Sequence, residues 1–475
     1  MEVFVAQIWS KVLTLEESSL NRTSSFTELG GHSLSAIKVQ GLLKAALGLS
    51  DLPLKVLFAN PQLCDLAGAL ERLGAKAVNG AVDDHFDATS SAVEATMQAW
   101  EESRFDPFPL TPIQQAYFIG RDPLVELGGV ATHAYQEFAI PSWLTSDLLG
   151  QVISELLARH DALRIIFEQD SVSGVLQQRV LPYAETGSYE VLHADVSDED
   201  EEVGEQMIES VRSELSHQVL DPHTWPLFDV RITKTKELNV LHISLDALIV
   251  DFYSSAILAA DTLALINAAR QANSSSLASV AQLHPLKATF RQMVLEEMQL
   301  RTDDSAGMAR SRSYWQGRAD NIPNAPELPL AKRPSEVKVS LFEREEVIIS
   351  KERFASLEML ARRHKVTPTT VIAYAFAQAL SKYAATARFI INLTVFQRPL
   401  DIVDADQVVG DFTSSLLLEY DGQDARSTKH ALQQLDAQLI DDLSHASYSG
   451  IDMIRHLRSK NGASHQVAFP VVMTS

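Results

Sequence analysis

Residues 240–251 constrain the fold of this chain more than any other stretch. Val240 to Leu245 is a short, largely apolar run, of the kind that suits a strand in a sheet covered on both faces. It delivers Asp246 and then, after Ala-Leu-Ile-Val, Asp251. Carboxylates inside an otherwise apolar segment are costly to bury unpaired. One reading is a strand end with two solvated or ion-paired acids. The Asp-x4-Asp spacing directly after such a strand makes a functional site competitive, and the flanking motifs decide between the two.

That strand sits in a long alternation. Phe228 to Thr233 precedes it as a strand and Ser254 to Ala269 follows as a helix. Upstream, Thr111 caps a helix with Pro112 in its first position. Leu148 to Arg159 is an amphipathic helix running through Arg159-His160-Asp161-Ala-Leu163-Arg164 into a strand-like Ile165 to Phe167. His160 taken alone reads as structural. In the second half, Pro323 to Leu330 is punctuated by proline and cannot be helix interior. Thr367-Pro368 opens a helix to about Tyr383, and Phe389 to Val395 is a strand ending near Arg398. Gly410-Asp411-Phe412-Thr413 then leads into the apolar Leu416 to Leu418, and residues 429–458 are helical with a break near Ser449-Gly450. Strands alternating with helices in both halves argue for α/β layering.

Composition narrows the function classes. A chain of 475 residues has room for roughly two to four domains, each burying its own core. Hydrophobic residues at 46% and charged residues at 21% are the balance of a soluble globular protein. No apolar run of membrane-spanning length and no secretory leader is read, so a cytoplasmic protein with no membrane partner is expected. A net charge of −22 argues against a nucleic-acid surface. The single cysteine, Cys64, excludes an internal disulfide framework and a cysteine-rich zinc site; beside Leu63, Leu66 and Leu70 it is expected as a buried core thiol. The acidic cluster Asp195 to Glu205 lacks a glycine at the calcium-loop turn and reads as a solvated loop or helix start. No metal site is expected.

The first 75 residues stand apart. Val3, Ile8, Val12 and Leu13 make a helical stripe, and a polar loop follows. Gly30-Gly31 allows a sharp turn before a helix starting near Ser33, with Leu34, Ile37, Gly41 and Ala45 on one face. A short turn at Val56 to Phe58 precedes a last helix from Pro61 to about Leu73. Ser33 could be a plain N-cap. Beyond this unit, Ala77 to Ser91 has no apolar periodicity and reads as a linker.

Gly30-Gly31-His32-Ser33-Leu34, with Leu57-Phe58-Ala59-Asn60-Pro61 ahead of the last helix, resembles the phosphopantetheine attachment region of peptidyl carrier domains from nonribosomal peptide synthetases. By that resemblance Ser33 carries a covalent 4'-phosphopantetheine, the only cofactor implied. Seven further stretches resemble, in order, the motifs of heterocyclization domains in the same synthetases: Phe108 to Arg121, Arg159 to Arg164, Asp246 to Asp251, Pro323 to Leu330, Thr367 to Tyr383, Gly410 to Thr413 and Pro470 to Ser475. Ordinary condensation domains carry His-His-x-x-x-Asp-Gly where this chain has Asp246-x4-Asp251, and no His-His pair occurs anywhere in it.

The resemblance implies a small all-α four-helix carrier bundle (1–75), a linker (76–104) and a two-lobed α/β (α+β) fold like chloramphenicol acetyltransferase, with lobes at 105–285 and 286–475. The implied reaction joins a donor acyl thioester to a carrier-bound cysteine, serine or threonine and cyclodehydrates the product to a thiazoline or oxazoline. Thr474 matches the threonine of the family's Pro-Val-Val-Phe-Thr-Ser motif, which supports cyclodehydration beside an aspartate of a later motif. Met473 stands for the phenylalanine, an apolar exchange expected to be mild. Asp246 and Asp251 are candidates for acid/base work or for shaping the site. For Asp251 the structural role is favoured, paired with Arg159 or Arg164; Asp246 stays open. Because the sequence stops at Ser475, the second lobe is expected to be incomplete and the chain a synthetase fragment. Its expected partners are an upstream adenylation domain, downstream adenylation and carrier domains, and a phosphopantetheinyl transferase. The rival readings are a non-catalytic carrier-plus-docking platform and a free-standing CoA-dependent acyltransferase of the condensation type.

Overall fold

The computed structural model describes all residues except 14, 27–28, 30, 32, 50–51, 53, 76–100, 273–276, 278–282, 303–304, 399–401, 403, 424–426, 462–467 and 475. Most of the expected linker therefore lies outside the described residues.

The first unit is a bundle of α1 (Glu2–Leu13), α2 (Ser33–Leu47), α3 (Leu54–Ala59) and α4 (Leu63–Arg72). Phe4, Val5, Ile8 and Trp9 face inward from α1 and meet Leu63, Leu66, Ala67 and Leu70 of α4. Trp9 packs on Phe26 with ring centroids 5.3 Å apart. The stretch expected as a turn at 56–58 is helical, and α4 begins after Pro61 with Gln62 as its N-cap. Cys64 is half-buried and not a core thiol. The inward stripe of α4 runs through Leu63, Leu66, Ala67 and Leu70, which leaves the position after Leu63 at the edge of that face.

Two larger cores follow. Around the first lies a four-stranded sheet, β2 (His133–Ile140), β7 (Asn239–Asp246), β6 (Phe228–Lys234) and β5 (Leu192–Asp195), in that order. β7 runs antiparallel to both its neighbours, while β5 pairs parallel to β6. The apolar run is thus a central strand covered on both faces, as its composition predicts. Leu241, Ile243 and Leu245 point into the main core. His242, Ser244 and Asp246 alternate to the other side. There α7 (Glu201–Leu215) covers the sheet with Val211 and Leu215. His242 is fully buried but satisfied, its Nδ1 2.8 Å from the Tyr135 hydroxyl and its Nε2 3.0 Å from Thr233 Oγ1.

A small sheet of β1 (Phe108–Pro109), β4 (Leu176–Val180) and β3 (Ile165–Gln169) flanks this core, as do α5 (Pro112–Gly120), α6 (Ser146–Arg159) and α8 (Phe252–Gln271). Among the described residues α8 is the one helix long and apolar enough, by length and composition, to cross a membrane, where the sequence reading expected none. Here its Leu258, Leu265 and Ala269 pack into the core.

The second core is built on a sheet ordered β10 (Val472–Thr474), β8 (Arg388–Phe396), β9 (Thr413–Asp421), with β10 parallel and β9 antiparallel to β8. Phe389, Ile390, Ile391 and Leu416 to Leu418 fill it from the strands. Helices α10 (Ala306–Gly317), α12 (Pro368–Ser381), α13 (Thr428–Ser444) and α14 (Gly450–Asn461) contribute Trp315, Ala377, Leu439 and Met453. α11 (Lys351–His364) packs beside α12. Packing crosses position 285. Phe290, Met293 and Val294 of α9 (Phe290–Thr302), together with Ala405, Val408, Val409 and Phe412, are buried in the first core. Residues 405–412 are therefore a strap from the second half fastened into the first.

Candidate active site

β7 ends on Asp246, whose side chain is buried. Its Oδ1 accepts the Leu248 N–H at 3.0 Å and its Oδ2 is hydrogen-bonded by Arg121 Nη2. Burial pushes this carboxyl above the usual range, while Arg121 and the Leu248 N–H favour the charged form. Arg121 comes from the end of α5, whose start is held by a reciprocal cap. Gln114 N–H donates to Thr111 Oγ1 (3.2 Å), and Thr111 N–H donates to Gln114 Oε1 (2.9 Å). Gln114 also donates to Leu248 O at 2.7 Å, pinning the link between the two acids onto α5.

Asp251 is the N-cap of α8, accepting the Ser254 N–H on Oδ1 at 2.6 Å. Its Oδ2 accepts the Phe412 N–H at 3.1 Å, and Arg398 Nη2 lies 3.2 Å from Oδ1. The Arg398 guanidinium is sandwiched by Tyr253 and Phe412, 4.5 and 4.3 Å from the ring centroids. It also donates to Ser254 Oγ (2.7 Å) and Val408 O (2.6 Å). Gly410 completes the joint: its N–H and C=O both meet Ser254 Oγ, and its C=O accepts the Asp251 N–H at 3.3 Å. A Cβ here would stand 2.1 Å from the Phe290 ring, so only glycine passes.

This corrects the expected partnership of Asp251. Arg159 lies 3.4 Å from Asp261 and donates to Gln407. Arg164 pairs with Asp161 at 2.5 Å and caps the carbonyls of Leu157 and Leu181. Asp161 is further held by Arg104, and His160 Nε2 meets Asp261 at 2.8 Å. The Arg159 to Arg164 stretch thus ties α6 to its surroundings, and the cation at Asp251 arrives from the second half of the chain.

Between the two cores a pocket is lined by Thr111 and Pro112 at the head of α5, Glu297 and Arg301 of α9, and Asp411 and Thr413 at the entry to β9. Arg301 is paired with Asp452 at 2.6 Å, and burial raises Glu297. Asp411 is fully buried. Its Oδ1 accepts the Thr413 N–H at 3.1 Å, and its Oδ2 has no hydrogen-bond partner among the described residues. Burial, reinforced by the neighbouring Asp251 charge, pushes the carboxyl up to about 8.

Thr474 lies on β10 opposite Thr394 of β8 and donates to its Oγ1 at 3.1 Å. Its side is exposed, and it pairs with neither Asp246 nor Asp251. Ser415 faces Thr394 from the other side, so Thr474 shares a sheet with the strand that leaves Asp411. Ser33 is the first residue of the 15-residue α2. Gly31 N–H donates to Phe26 O at 2.8 Å, and a Cβ on Gly31 would fall 2.4 Å from that oxygen. A helix start of this kind suits the phosphodiester of a serine-linked 4'-phosphopantetheine.

Sequence reasoning missed Arg398, Ser254 and Asp411 as individual groups. Arg398 carries no local signal, since only its place after a strand marks it. Asp411 had one, an acid between Val408-Val409 and the apolar run of β9.

Two family models match the chain: a phosphopantetheine attachment site over residues 3–70 and a condensation domain over residues 106–475. Phenyloxazoline synthase MbtB of Mycobacterium bovis is 32% identical over 386 residues, covering 81% of this chain and 26% of the relative. Pyochelin synthetase PchF of Pseudomonas aeruginosa is 30% identical over 368 residues, covering 78% and 19%. The chain thus spans a minor part of these curated relatives. The EpoB NRPS cyclization-docking bidomain from Sorangium cellulosum superposes with a TM-score of 0.69 at 25% identity, covering 86% of this chain and 83% of that one.

Proposed function

This chain belongs to the condensation-domain family, with a phosphopantetheine carrier unit ahead of it, and from that premise we propose that it condenses and heterocyclizes carrier-bound substrates. The acceptor is a cysteine, serine or threonine on a downstream carrier, and the product ring is a thiazoline or oxazoline. The carrier's covalent 4'-phosphopantetheine, which we place on Ser33, presents an acyl group as a thioester on a long arm. Membership implies neighbouring assembly-line domains and a phosphopantetheinyl transferase that loads the arm.

The observation that carries this reading is the use made of Asp246-x4-Asp251. A paired-histidine base is absent from the sequence, and each aspartate has its own arginine, Arg121 or Arg398. Both acids therefore hold the shape of the site. Asp246 anchors α5 to the end of β7, and Asp251 fastens the 405–412 strap. Proton transfer then falls to other groups, with Thr474 assigned by the motif it matches. A site without the paired-histidine base, in a chain similar to a phenyloxazoline synthase and a cyclization bidomain, supports ring formation over simple condensation.

The test begins with intact-protein mass spectrometry after incubation with coenzyme A and a phosphopantetheinyl transferase. A phosphopantetheine mass gain is expected on the wild type and not on Ser33→Ala. Donor-loaded chain is then mixed with a cysteinyl carrier. A product lighter by one water than the linear amide is expected, and linear amide alone rules the ring reading out.

A further inference from the structure

The inward stripe of α9 runs on past the core. Phe290, Met293 and Val294 are buried in the first core, and at helical spacing the same face continues through Glu297 and Arg301 onto the wall of the interlobe pocket. A carboxylate on that stripe is not a solvated surface acid. Nor is it sealed: the Glu297 side chain keeps 30% of its surface accessible, so a molecule in the pocket can reach it.

Its nearest cation is committed elsewhere. Arg301 Nη2 donates to both oxygens of Asp452, at 2.7 and 2.6 Å. Arg301 Nη1 stands 3.7 Å from Glu297 Oε1, beyond hydrogen-bond reach. Asp452 Oδ2 also accepts the Ser449 N–H (3.0 Å) and hydroxyl (2.7 Å). Two carboxylates thus share one guanidinium, and Asp452 holds most of it. The other acids nearby do not change the balance: Asp246 has Arg121, Asp251 has Arg398, and Asp411, pushed up to about 8 by burial, keeps its proton at neutral pH. The pocket is left with a surplus negative charge on the group that is open to it. Burial raises the Glu297 carboxyl, with Asp452 adding to the rise and Arg301 opposing it; a cation brought against it restores the charged form. Among the described residues no group of three or more His, Cys, Asp or Glu is placed to hold a metal ion. A monovalent cation that donates hydrogen bonds fits this wall.

We propose that Glu297 receives the α-ammonium group of the acceptor aminoacyl thioester and so selects amino acids over acyl groups that lack the amine, an inference that rests on the condensation step of the function proposed above. An ammonium brings N–H donors to the carboxylate, which makes the short, charge-assisted kind of hydrogen bond. Once the amide has formed, its nitrogen carries no charge and the contact weakens. Glu297 therefore favours the acceptor over the condensed product. It is a positioning contact for the nitrogen and has no part in ring closure.

The full chain is assayed as wild type, Glu297→Gln and Glu297→Asp with a loaded donor. The acceptor carrier bears either cysteine or its 2-hydroxy counterpart, in which a hydroxyl replaces the amine, and the amide or ester formed is weighed. Glu297→Gln is expected to raise KM for the cysteinyl carrier about 10–100-fold, the worth of one hydrogen bond to a charged group, and to leave KM for the hydroxy carrier nearly unchanged. Glu297→Asp keeps the charge on a shorter arm and should recover part of the preference, which guards against a merely misfolded amide variant. A second readout needs no turnover. Calorimetry on the chain with Ser33 unloaded compares cysteinyl pantetheine amide with the 3-mercaptopropanoyl amide, which lacks the amine. The wild type should bind the first more tightly, and Glu297→Gln should bind the two alike. Equal losses with both acceptors would mean that Glu297 only supports the fold, and an unchanged preference in Glu297→Gln would remove it from recognition. Either result overturns the proposal and leaves the heterocyclization reading standing. A wild type that makes linear amide and no ring defeats that reading and not the ammonium contact, which acts before closure. If no bond forms at all, the calorimetry decides, and equal wild-type affinities for the two amides overturn the contact.

Discussion

At the scale of single residues, the site is a set of buried charges that differ in whether each has a partner. Asp251 and Arg398 are both buried and paired with each other, so removing one strands the other. Asp251→Ala should cost about 3–5 kcal/mol of stability, visible as a lower denaturant midpoint and lost activity. A soluble Asp251→Ala chain with the wild-type midpoint would contradict the pairing's role. Asp411 behaves oppositely because it has no ion-pair partner among the described residues. With its carboxyl at about 8 in the fold against an ordinary 3.8, the native state holds a proton that the unfolded chain releases across that interval. Stability contributed by this group is full below the ordinary value and is lost as pH rises toward 8. Urea unfolding at several pH values should show this downward slope in the wild type and a flatter one in Asp411→Asn.

At the scale of elements, the joints between them are more exacting than the elements themselves. α5 is legible from Thr111 and Pro112, since a cap and a first-turn proline are local signals, and the structure adds the reciprocal bond from Gln114. Of the strap at 405–412 only its end was visible, in the motif Gly410 to Thr413; nothing nearby in sequence says that it packs against Phe290. Gly410 is where that contact is tightest. Gly410→Ala should destabilise by about 1–3 kcal/mol through overpacking and loosen the grip on Asp251. Thermal unfolding measures the first effect. Amide hydrogen exchange at Asp251 and Phe412, whose N–H groups are held in this joint, reads the second.

At the scale of the whole molecule, the carrier unit and the condensation fold are in contact. Leu443 of α13 packs against the carrier core as well as its own lobe, and α3 lies along α13. A carrier that must present its arm to a pocket benefits from a contact that is small and easily released. Leu443→Ala should weaken it, at the cost of a small loss of packing in its own lobe that thermal unfolding reads separately. Small-angle scattering should register a larger radius of gyration, with phosphopantetheine loading of Ser33 unchanged. An unaltered scattering profile would mean that Leu443 does not hold the two units together.

Local pattern alone determined much of this protein. The apolar run of β7 is a local pattern, and the caps of α5 and α12 and the break before α14 rest on interactions within a few residues. Those are read directly from residue type and spacing. The order of motifs was enough to assign the family. Only the tertiary structure decided that Asp251 belongs to Arg398 and not to Arg159 or Arg164, that Asp411 is buried beside the interlobe pocket without an ion-pair partner among the described residues, and that Thr474 lies across a sheet from the strand that begins at Thr413. A buried charge chooses its partner by three-dimensional proximity and by the cost of leaving it unpaired. Neither quantity exists until distant segments have packed.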